Sequence, residues 1–588
     1  MPEELSEVSF RTNLLFTAKD EDLISAINTA MQESSSLKDK IDEQGKINKT
    51  YWKLGTLKDM RRVHPKKAKV VINRLFTDIE TAIPILTAGM PEPTVIGAAD
   101  NNMQELLQKG LQMAYEVKYK MQNKLQCLLR HWFLFRIGVL KYRWDKDKGF
   151  ITENVLARKI GFDKRASSLD NCEYFWEEME DIAEDMKAKF KGEKIGSFID
   201  EISQKNPKAK IKYTEFWGGN GEWVCWKLRD RILDKKKNPN FNYGESAKGT
   251  AGMIDYIPAV EGENIFDRPR FPYIILNVFS FGDETGMYDE TALIEEAISA
   301  QEGVNQLEQQ IIDLNEGQKR VWVALGRAVS REVFDDLVSK TGDLGVYVDR
   351  NGLPGDVQQV QSGKPDASLY NDLAHLLGEI DNIMGIHSTT RGAETAKQET
   401  LGAQQLQMGS DYGRLDLIVR NVEQVIEEWY NAYLQMLKVY SIEAEVLSNG
   451  KETVELAKGQ IPSGIMIMVK KGSTLPIDER TKRQDAIQLA QFNMIDPATL
   501  FEEMSYANVE KRVQDLYAWL QATGKIMPQQ PQIGAGGQPG GAEQQQGQQV
   551  AKVQELLNSP QFQQLGDEDK MAVLQNAKGI ISQVKTGQ

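Results

Sequence analysis

The chain has 588 residues, of which 41% are hydrophobic and 27% charged, and its formal net charge is -14. This length exceeds one ordinary core and predicts roughly two to four domains. The acidic balance excludes a chain that grips nucleic acid through overall positive charge. Three cysteines without a CxxC pair, Cys127, Cys172 and Cys225, argue against a disulfide framework or a zinc site and favour a reducing compartment. The N-terminus lacks the apolar core of a secretory signal, and the most apolar window, residues 131–140, is too short to span a bilayer, so we expect a soluble, intracellular protein.

The first half of the chain mixes helical and strand patterns. Residues 1–50 are polar with weak helical periodicity, which predicts an N-terminal arm or helical extension. Residues 51–282 predict an α+β region, in which one amphipathic helix ends at Gly89 and a long helix covers 102–135. VLKYRWD and ITENVLARKIGFD favour strands, and the span from Glu173 to Phe190 favours a helix. KYTEFW and EWVCWKL favour a hairpin around a Gly-Gly-Asn-Gly turn.

Three later segments carry a narrow apolar seam at alternating steps of four and three residues. This spacing is typical of helices that pack against near-parallel neighbours. The seams are Leu293, Ala297, Ala300, Val304, Leu307, Ile311 and Leu314; Leu369, Leu373, Leu376, Ile380 and Ile383; and Ile418, Val422, Val425, Trp429, Ala432, Met436 and Val439. The first helix should be roughly 35 to 40 Å long. Between the first two seams, VWVAL and GVYVD predict strands, SREVFDDLVSK a short helix and GLPGD a turn.

The second seam stops at Gly385, and a polar stretch (IHSTTRGAETAKQETLG) precedes the third. After the third seam, GIMIMVKKGSTLP predicts a strand and a turn, and at least two helices follow. Residues 528–550 are nearly all Gln, Gly and Pro, which predicts a flexible linker. Residues 551–588 predict a last amphipathic helical segment.

No motif for phosphate or metal chemistry is present. The nearest imitation of a phosphate-binding loop is Ser362-Gly363-Lys364-Pro365, where proline removes an amide and the upstream glycine is missing. Carboxylate pairs between 283 and 296 are better explained as charge at a helix start than as a two-metal site. The four histidines have no partner at i+3 or i+4: His64, His131, His375 and His387. We therefore expect no enzymatic activity, no cofactor and no metal.

Two basic runs stand out against the acidic whole. The first contains Arg61, Arg62, His64, Lys66, Lys67 and Lys69. It is open to two interpretations, a contact with nucleic acid or an acidic partner surface and a solvated patch beside a helix. The second, residues 235–237, is expected in a hairpin loop. Neither has the interleaved aromatic residues of a single-strand binding groove.

Taken in their order along the chain, these segments resemble the portal (head-to-tail connector) proteins of tailed bacteriophages, over roughly residues 50–525. RKIGFDKRASSLDNCEYFWEEMEDIAEDMKAKF is similar to a strand, a loop containing Asp and an acidic helix of that family. FSFGDETGMYDETALIEEAISAQEGVNQLEQQI resembles its glycine-rich lead-in to a long helix bearing Gln and Asn, here Gln301 and Asn305. IMVKKGSTLPIDERTKRQDAIQLAQFNMIDPATLFEEM resembles the strand, turn and helices near the end of many portals.

The resemblance implies a predominantly helical α+β subunit with wing, stem, clip and crown regions, which assembles into a ring of usually twelve copies. The implied regions are an N-terminal arm (1–50), the wing (51–282), stem helix 1 (283–316), the clip (317–366), stem helix 2 (367–385), the tunnel loop (386–410), a long wing helix and strand (411–475), crown-type helices (476–527), the linker (528–550) and the C-terminal segment (551–588). Such a ring occupies one capsid vertex of the virion after assembly in the host cytoplasm.

The partners implied by the resemblance are the terminase large subunit, the tail adaptor, the major capsid and scaffolding proteins, and double-stranded DNA that passes through the channel during packaging and ejection. No membrane is involved. Three groups of residues would carry these contacts. The tunnel loop would bring Thr389, Thr390, Arg391 and Lys397 near DNA. The clip would present Lys319, Arg320, Arg327 and Arg331 to the terminase and then the adaptor. The seam between subunits in the stem would use Leu293, Ala297, Val304, Leu307 and Ile311.

The alternative is another structural or scaffolding virion protein, built on heptad helices without a channel. The mixed strands within residues 137–280 and the small α/β module argue against a simple helical rod. A nuclease or packaging ATPase is the rival from a different class, and it lacks every phosphate and metal motif that the sequence could have shown.

Overall fold

A computed structural model provides the structure. It describes residues 18–56, 70–97, 100–243, 263–282, 285–317, 321–325, 330–341, 344–348, 359–360, 366–387, 401–450, 452–471, 486–492, 494–504 and 509–522. These residues belong to two compact units, within 1–481 and 482–588. The structure is mixed α and β with more helix than strand, 54% against 19%, which confirms the predicted fold class.

The first helix, α1 (Asp20–Leu54), begins with three acidic residues that complement the helix dipole and ends at Gly55, whose φ of 53° is left-handed. Its N-terminal half packs on aromatic side chains of a β-sheet, and its C-terminal half packs on a later helix. Leu23 and Ile27 are fully buried in the first of these contacts. Most of the predicted N-terminal arm is therefore an integral part of the core.

Three more helices follow, α2 (Arg74–Leu86), α3 (Asn101–Met113) and α4 (Met121–Phe135). Asn73 and Asp100 cap α2 and α3 by accepting hydrogen bonds from backbone N–H groups three residues on. The prediction of one long helix over 102–135 is wrong. A π-helical turn at Ala114–Lys118 and the left-handed backbone of Lys120 (φ 47°) separate α3 from α4.

Two antiparallel sheets build the middle of the first unit. Their strands are β2 (Gly138–Asp145), β3 (Gly149–Val155), β4 (Ile160–Phe162), β5 (Tyr174–Ile182), β6 (Lys210–Gly218), β7 (Trp223–Leu228), β8 (Arg231–Lys237) and β9 (Tyr273–Leu276). The strand orders are β3-β2-β9 and β4-β5-β6-β7-β8. The β6–β7 pairing confirms the predicted hairpin. Two short helices, α5 (Ala183–Lys189) and α6 (Glu193–Ile202), follow β5.

The helix predicted from Glu173 to Phe190 is wrong over its first half, because β5 occupies that stretch and only α5 is helical. Both faces of β5 are buried over its first four residues, so this stretch reads as a continuous run without alternation. Tyr174 and Trp176 face α1, whereas Phe175 lies in the core on the other side. The basic run at 235–237 is likewise the end of strand β8 rather than a loop.

The three seam helices are α7 (Leu293–Gly317), α9 (Ala367–Met384) and α10 (Leu401–Tyr440). The predicted module lies between α7 and α9. It consists of β10 (Val321–Leu325), α8 (Arg331–Thr341), β11 (Leu344–Val348) and β12 (Gln359–Val360), with β10 parallel to β11 and antiparallel to β12. Helix α9 ends at Gly385 as predicted. Helix α10 begins ten residues before the predicted 411, so 401–410 belong to the helix and not to a loop.

The first unit is completed by β1 (Pro93–Ile96), by the hairpin of β13 (Glu445–Ser448) and β14 (Thr453–Leu456), and by β15 (Met466–Val469), which pairs with β1 and lies on α10. Helix α10 carries an aromatic cluster. Trp429 and Tyr433 stack on each other and contact Tyr119 and Phe150 edge-on or tilted. The second unit contains α11 (Pro497–Glu503) and α12 (Val509–Ala522). The linker 528–550 and the segment 551–588 lie outside the described residues.

Candidate functional site

The helix pair formed by α7 and α9, with the inserted module, is the candidate functional element. At about 1.5 Å per residue, α7 is about 37 Å long and α9 returns along it for about 27 Å. The two helices approach closely: a Cβ added at Gly303 would lie 2.7 Å from Cδ1 of Leu376. Glycine at this position allows the close packing.

The first seam packs mostly within the chain. Ala297, Val304 and Ile311 are buried, whereas Leu293 and Leu307 are partly exposed. A side chain that is already covered by its own chain adds little apolar burial to a contact with another one, and the predicted contact between subunits stays a prediction. Apolar residues that remain open lie farther along the pair, at Leu314 and Tyr370, which are 37% and 47% exposed.

Gln301 of α7 binds the extended backbone that leads into α2. Its side chain is fully buried. Its Nε2 donates to the carbonyl of Ile72 at 2.7 Å, and its Oε1 accepts from the N–H of Arg74 at 3.0 Å. The same Nε2 donates to Oδ1 of Asn305 at 3.1 Å. One amide therefore holds two backbone groups and aligns the next side chain of the helix.

Two more amide side chains follow Gln301 on α7 at intervals of four residues. Asn305 donates from Nδ2 to the carbonyl of Gly55 at 2.9 Å, and Gln309 donates from Nε2 to the carbonyl of Val70 at 2.8 Å. We call Gln301, Asn305 and Gln309 the amide ladder. It fixes to α7 the chain on both sides of residues 57–69, which contain the first basic run and lie outside the described residues.

An ion pair ties α9 to the same place. Arg74 donates from Nε and one terminal nitrogen to the two carboxylate oxygens of Asp381, each at 2.8 Å. Such a bidentate pair fixes geometry as well as charge. Asp78 lies beneath it, fully buried, with Nε of Arg74 at 3.6 Å. Burial raises the pKa of Asp78 to about 8, against the lowering effect of Arg74, so this carboxyl is largely protonated at neutral pH.

The base of α7 is held by Glu295. Arg136 donates to it from Nε at 3.0 Å and also from a terminal nitrogen, and Asn48 of α1 donates to it from Nδ2 at 2.7 Å. Arg136 has a left-handed backbone, φ 60°, at the end of α4. Helix α1 and the end of α4 thus both bind one carboxylate in the first turn of α7.

The loop before α7 is organised by Asp289, which is 1% exposed. It accepts hydrogen bonds from the indole N–H of Trp132 at 2.6 Å and from the backbone N–H groups of Val278 and Phe279 at 2.9 and 2.8 Å. Burial raises the pKa of Asp289 to about 6, although these donors favour the charged form. Asp289 therefore has a structural role: it holds named donors by hydrogen bonds, in addition to placing negative charge near the start of the helix.

A buried charge cluster connects the two sheets and is also structural. Nζ of Lys141 lies 2.7 Å from a carboxylate oxygen of Glu177 and 2.7 Å from one of Glu215. Trp217 and Trp226 both donate to Glu215 at 2.9 Å. Burial favours the neutral acid, but Lys141 and the indoles outweigh it and lower the pKa of Glu215 to about 2. One ammonium group thus faces two carboxylates, and the neutral donors Trp217, Trp226 and Tyr273 complete their hydrogen bonding.

The structure places few of the predicted contact residues. Arg331 is exposed at the start of α8, with Asp335 one turn on at 3.8 Å. The remaining predicted clip and tunnel-loop residues lie outside the described residues: Lys319, Arg320, Arg327, Thr389, Thr390, Arg391 and Lys397.

The described part of the chain holds no group of three or more His, Cys, Asp or Glu side chains placed to bind a metal ion. Within those same residues, no helix is long and apolar enough to cross a membrane. Cys127, Cys172 and Cys225 are free thiols. His375 is exposed beside Glu379, and burial lowers the pKa of His131.

Sequence reasoning noticed Gln301 and Asn305 through the resemblance but did not foresee what they bind. It missed Gln309, Arg74 and Asp381 entirely. The sequence did contain a signal for Gln309. Three amide side chains at i, i+4 and i+8 form a polar stripe beside the apolar seam, and this spacing places them on one face of the helix. The ion pair joins residues 307 positions apart, and no local pattern reports it.

Comparisons with known proteins give structural likeness alone. No family model matches the chain, and no curated protein matches it. Similar solved structures include a chain of one described as "Virion of native gene transfer agent (GTA) particle", 10% identical with a TM-score of 0.35, over 74% of this chain and 90% of that one. A second, "Neck of empty GTA particle computed with C6 symmetry", is 9% identical with a TM-score of 0.36, over 76% and 93%. Similarity at this level assigns no function.

Proposed function

We propose that the chain is a portal subunit of a tailed-phage-type particle, which forms a closed ring of about twelve copies around a channel for double-stranded DNA. One observation carries the proposal. Two long helices, α7 and α9, pack as a pair, are tied at their base to an α+β body, and bear a small α/β module between them. This is the arrangement expected of a stem that holds a clip clear of a wing.

The charge of the chain supports a channel rather than a binding sleeve. A net charge of -14 repels the phosphate backbone over distances of about a Debye length, roughly 8 to 10 Å. DNA that has to slide through a pore needs weak contacts, because a basic lining would hold the phosphates. On this proposal the tunnel loop, which includes Thr389 and Arg391, supplies a few polar contacts.

Contacts between neighbouring stems would use the open apolar residues at the far half of the helix pair. Leu314 and Tyr370 are exposed there, and Leu307, Leu369 and Leu373 are partly exposed. Burying them between subunits would stabilise the ring by roughly 25 cal/mol per Å² of apolar surface. We expect Leu314→Lys to block ring formation without unfolding the subunit, whereas Gln310→Lys, at an exposed position of the same helix, should leave it intact.

The proposal is tested by native mass spectrometry of the purified protein, with negative-stain electron microscopy of the same sample. Closed rings near twelve subunits, with a hole wide enough for duplex DNA, support it. A dimer or filament that persists at high protein concentration would instead favour a scaffolding role. Deletion of Ser388–Glu394 should leave the ring intact but reduce DNA packaging or retention, and loss of the ring in that variant would contradict the placement of the tunnel loop.

A further inference from the structure

The five-stranded sheet carries a row of exposed lysines where β6 begins. Two of them, Lys210 and Lys212, alternate along the strand with the buried Ile211 and Tyr213, so they lie on the face opposite to that core. The other two are exposed in the turn that leads into the strand. We call Lys205, Lys208, Lys210 and Lys212 the lysine row. Nothing in the portal proposal uses it.

The charge of the lysine row is not neutralised by its surroundings. None of the four ammonium groups forms an ion pair within the part of the chain that the structure describes. On the same face of the sheet, Glu178 is paired with Lys38 at 2.9 Å, and Glu180 is the cross-strand neighbour of Lys212. Helix α5, with two acidic residues in its first turn, packs on the core face instead. The row therefore keeps a surplus of positive charge.

The lysines at the end of β8 form a longer basic run, but each of them has an acidic neighbour. The pairs are Lys235 with Asp20 at 2.8 Å, Lys236 with Asp234 at 3.8 Å, and Lys237 with Glu222, where burial raises the pKa of the carboxyl and the lysine opposes the rise. An anionic partner would have to displace these carboxylates. The run that stands out in the sequence is therefore the less available of the two.

The spacing and the surroundings of the lysine row define the chemistry of a partner. Alternate residues of a strand are about 6.4 to 6.8 Å apart, which is close to the separation of neighbouring phosphates along one strand of a duplex. Among the described residues, no large apolar side chain between 118 and 280 is highly exposed. The row thus lacks the apolar centre of a protein interface and the stacking aromatic residues of a single-strand groove.

We propose that the lysine row binds the phosphate backbone of duplex DNA, without regard to base sequence. Each lysine would contact one phosphate and release the counterions condensed on it. The net charge of -14 opposes the approach of DNA elsewhere on the chain, which confines the contact to this face. The proposal concerns the single subunit and does not depend on whether the chain forms a ring.

The salt dependence of DNA binding by the full-length protein tests the proposal. Fluorescence anisotropy of a short labelled duplex of mixed sequence gives the affinity between about 50 and 200 mM salt. Four contacts predict a slope of about -3.6 in log affinity against log salt, because each contributes about 0.9. In the triple variant Lys208→Gln, Lys210→Gln and Lys212→Gln, the slope should become shallower by about 2.7, or binding should be lost. These side chains are exposed and unpaired within the described residues, so the variant should fold.

Two further variants control for net charge. Lys235→Gln, Lys236→Gln and Lys237→Gln together remove the same charge from lysines that are already neutralised, and the slope should stay as in the native protein. Glu180→Lys adds a cation beside the row and should strengthen binding. Absence of binding by the native protein at about 50 mM salt, or equal losses in the two triple variants, would overturn the proposal.

Competition experiments separate the lysine row from other sites. A closed circular duplex cannot thread a ring, and it should compete with the labelled duplex as well as linear DNA does. Failure of the circle to compete would place the binding in the channel, which contradicts the row and leaves the portal proposal standing. Polyglutamate should compete poorly. If it competes as well as DNA of equal charge, the row binds an acidic protein and the assignment to DNA is wrong.

Discussion

Gln301 is the residue whose truncation should weaken the base of the helix pair most. The Gln301→Ala substitution removes three hydrogen bonds. The N–H of Arg74 and the carbonyl of Ile72 keep only their hydrogen bond to each other, at 3.0 Å, and Oδ1 of Asn305 loses the amide of Gln301. A hydrogen bond contributes about 0.5 to 1.5 kcal/mol net, and a buried polar group left unpaired costs about 1 to 3 kcal/mol. Because water can relieve part of this cost, we expect a loss of about 2 to 4 kcal/mol in the free energy of unfolding.

Urea denaturation followed by tryptophan fluorescence measures this loss. The matched control is Gln310→Ala, which removes the same side chain from an exposed position of α7 and should change stability by less than about 0.5 kcal/mol. Asn305→Ala and the double variant complete a thermodynamic cycle, and a coupling of about 0.5 kcal/mol or more is expected, because the two amides are hydrogen-bonded. Equal losses for Gln301→Ala and Gln310→Ala would refute the ladder as an anchor.

Three further predictions concern other parts of the first unit. Asp78→Asn should flatten the pH dependence of stability: the folded protein keeps a proton on Asp78 up to about pH 8, the unfolded chain loses it near 3.8, and the native protein therefore loses stability, relative to the variant, as pH rises between these values. Gly45→Ala should destabilise the protein by about 1 to 3 kcal/mol in thermal melts, because the added Cβ would lie 2.1 Å from a ring atom of Phe135 in α4. Gly378→Ala, where the added Cβ meets open space, should stabilise it by up to about 1 kcal/mol. Lys141→Met should lower the free energy of unfolding by about 3 to 5 kcal/mol, because it leaves two buried carboxylates without their cation. Lys470→Met breaks an exposed pair and should cost less than about 1 kcal/mol in the same assay. Similar losses in the two variants would show that burial is not the cause.

Features set by local periodicity were predictable from the sequence. The three seams, the order of strands and helix in the inserted module, and the end of α9 at Gly385 each depend on residues within a few positions of one another. The hairpin of β6 and β7 is of the same kind. These elements are also the ones on which the portal proposal depends.

Features set by burial from two sides, or by distant residues, were not predictable. Strand β5 reads as a helix because α1 covers one of its faces and the main sheet core covers the other, so the alternation of a half-exposed strand is missing. The early start of α10 at Leu401 was missed because its first turns are polar. The contact of the first seam with Leu376 and its neighbours in α9 was not foreseen, because it joins residues far apart in the sequence.

The position of the helix pair in an assembly tests the central claim most directly. A cryo-electron microscopy reconstruction of the purified oligomer would place α7 and α9 of each subunit. The account predicts that the pairs surround a central hole wide enough for duplex DNA, with the module of 321–360 at one rim. Pairs on the outer circumference, or an assembly without a central hole, would contradict it.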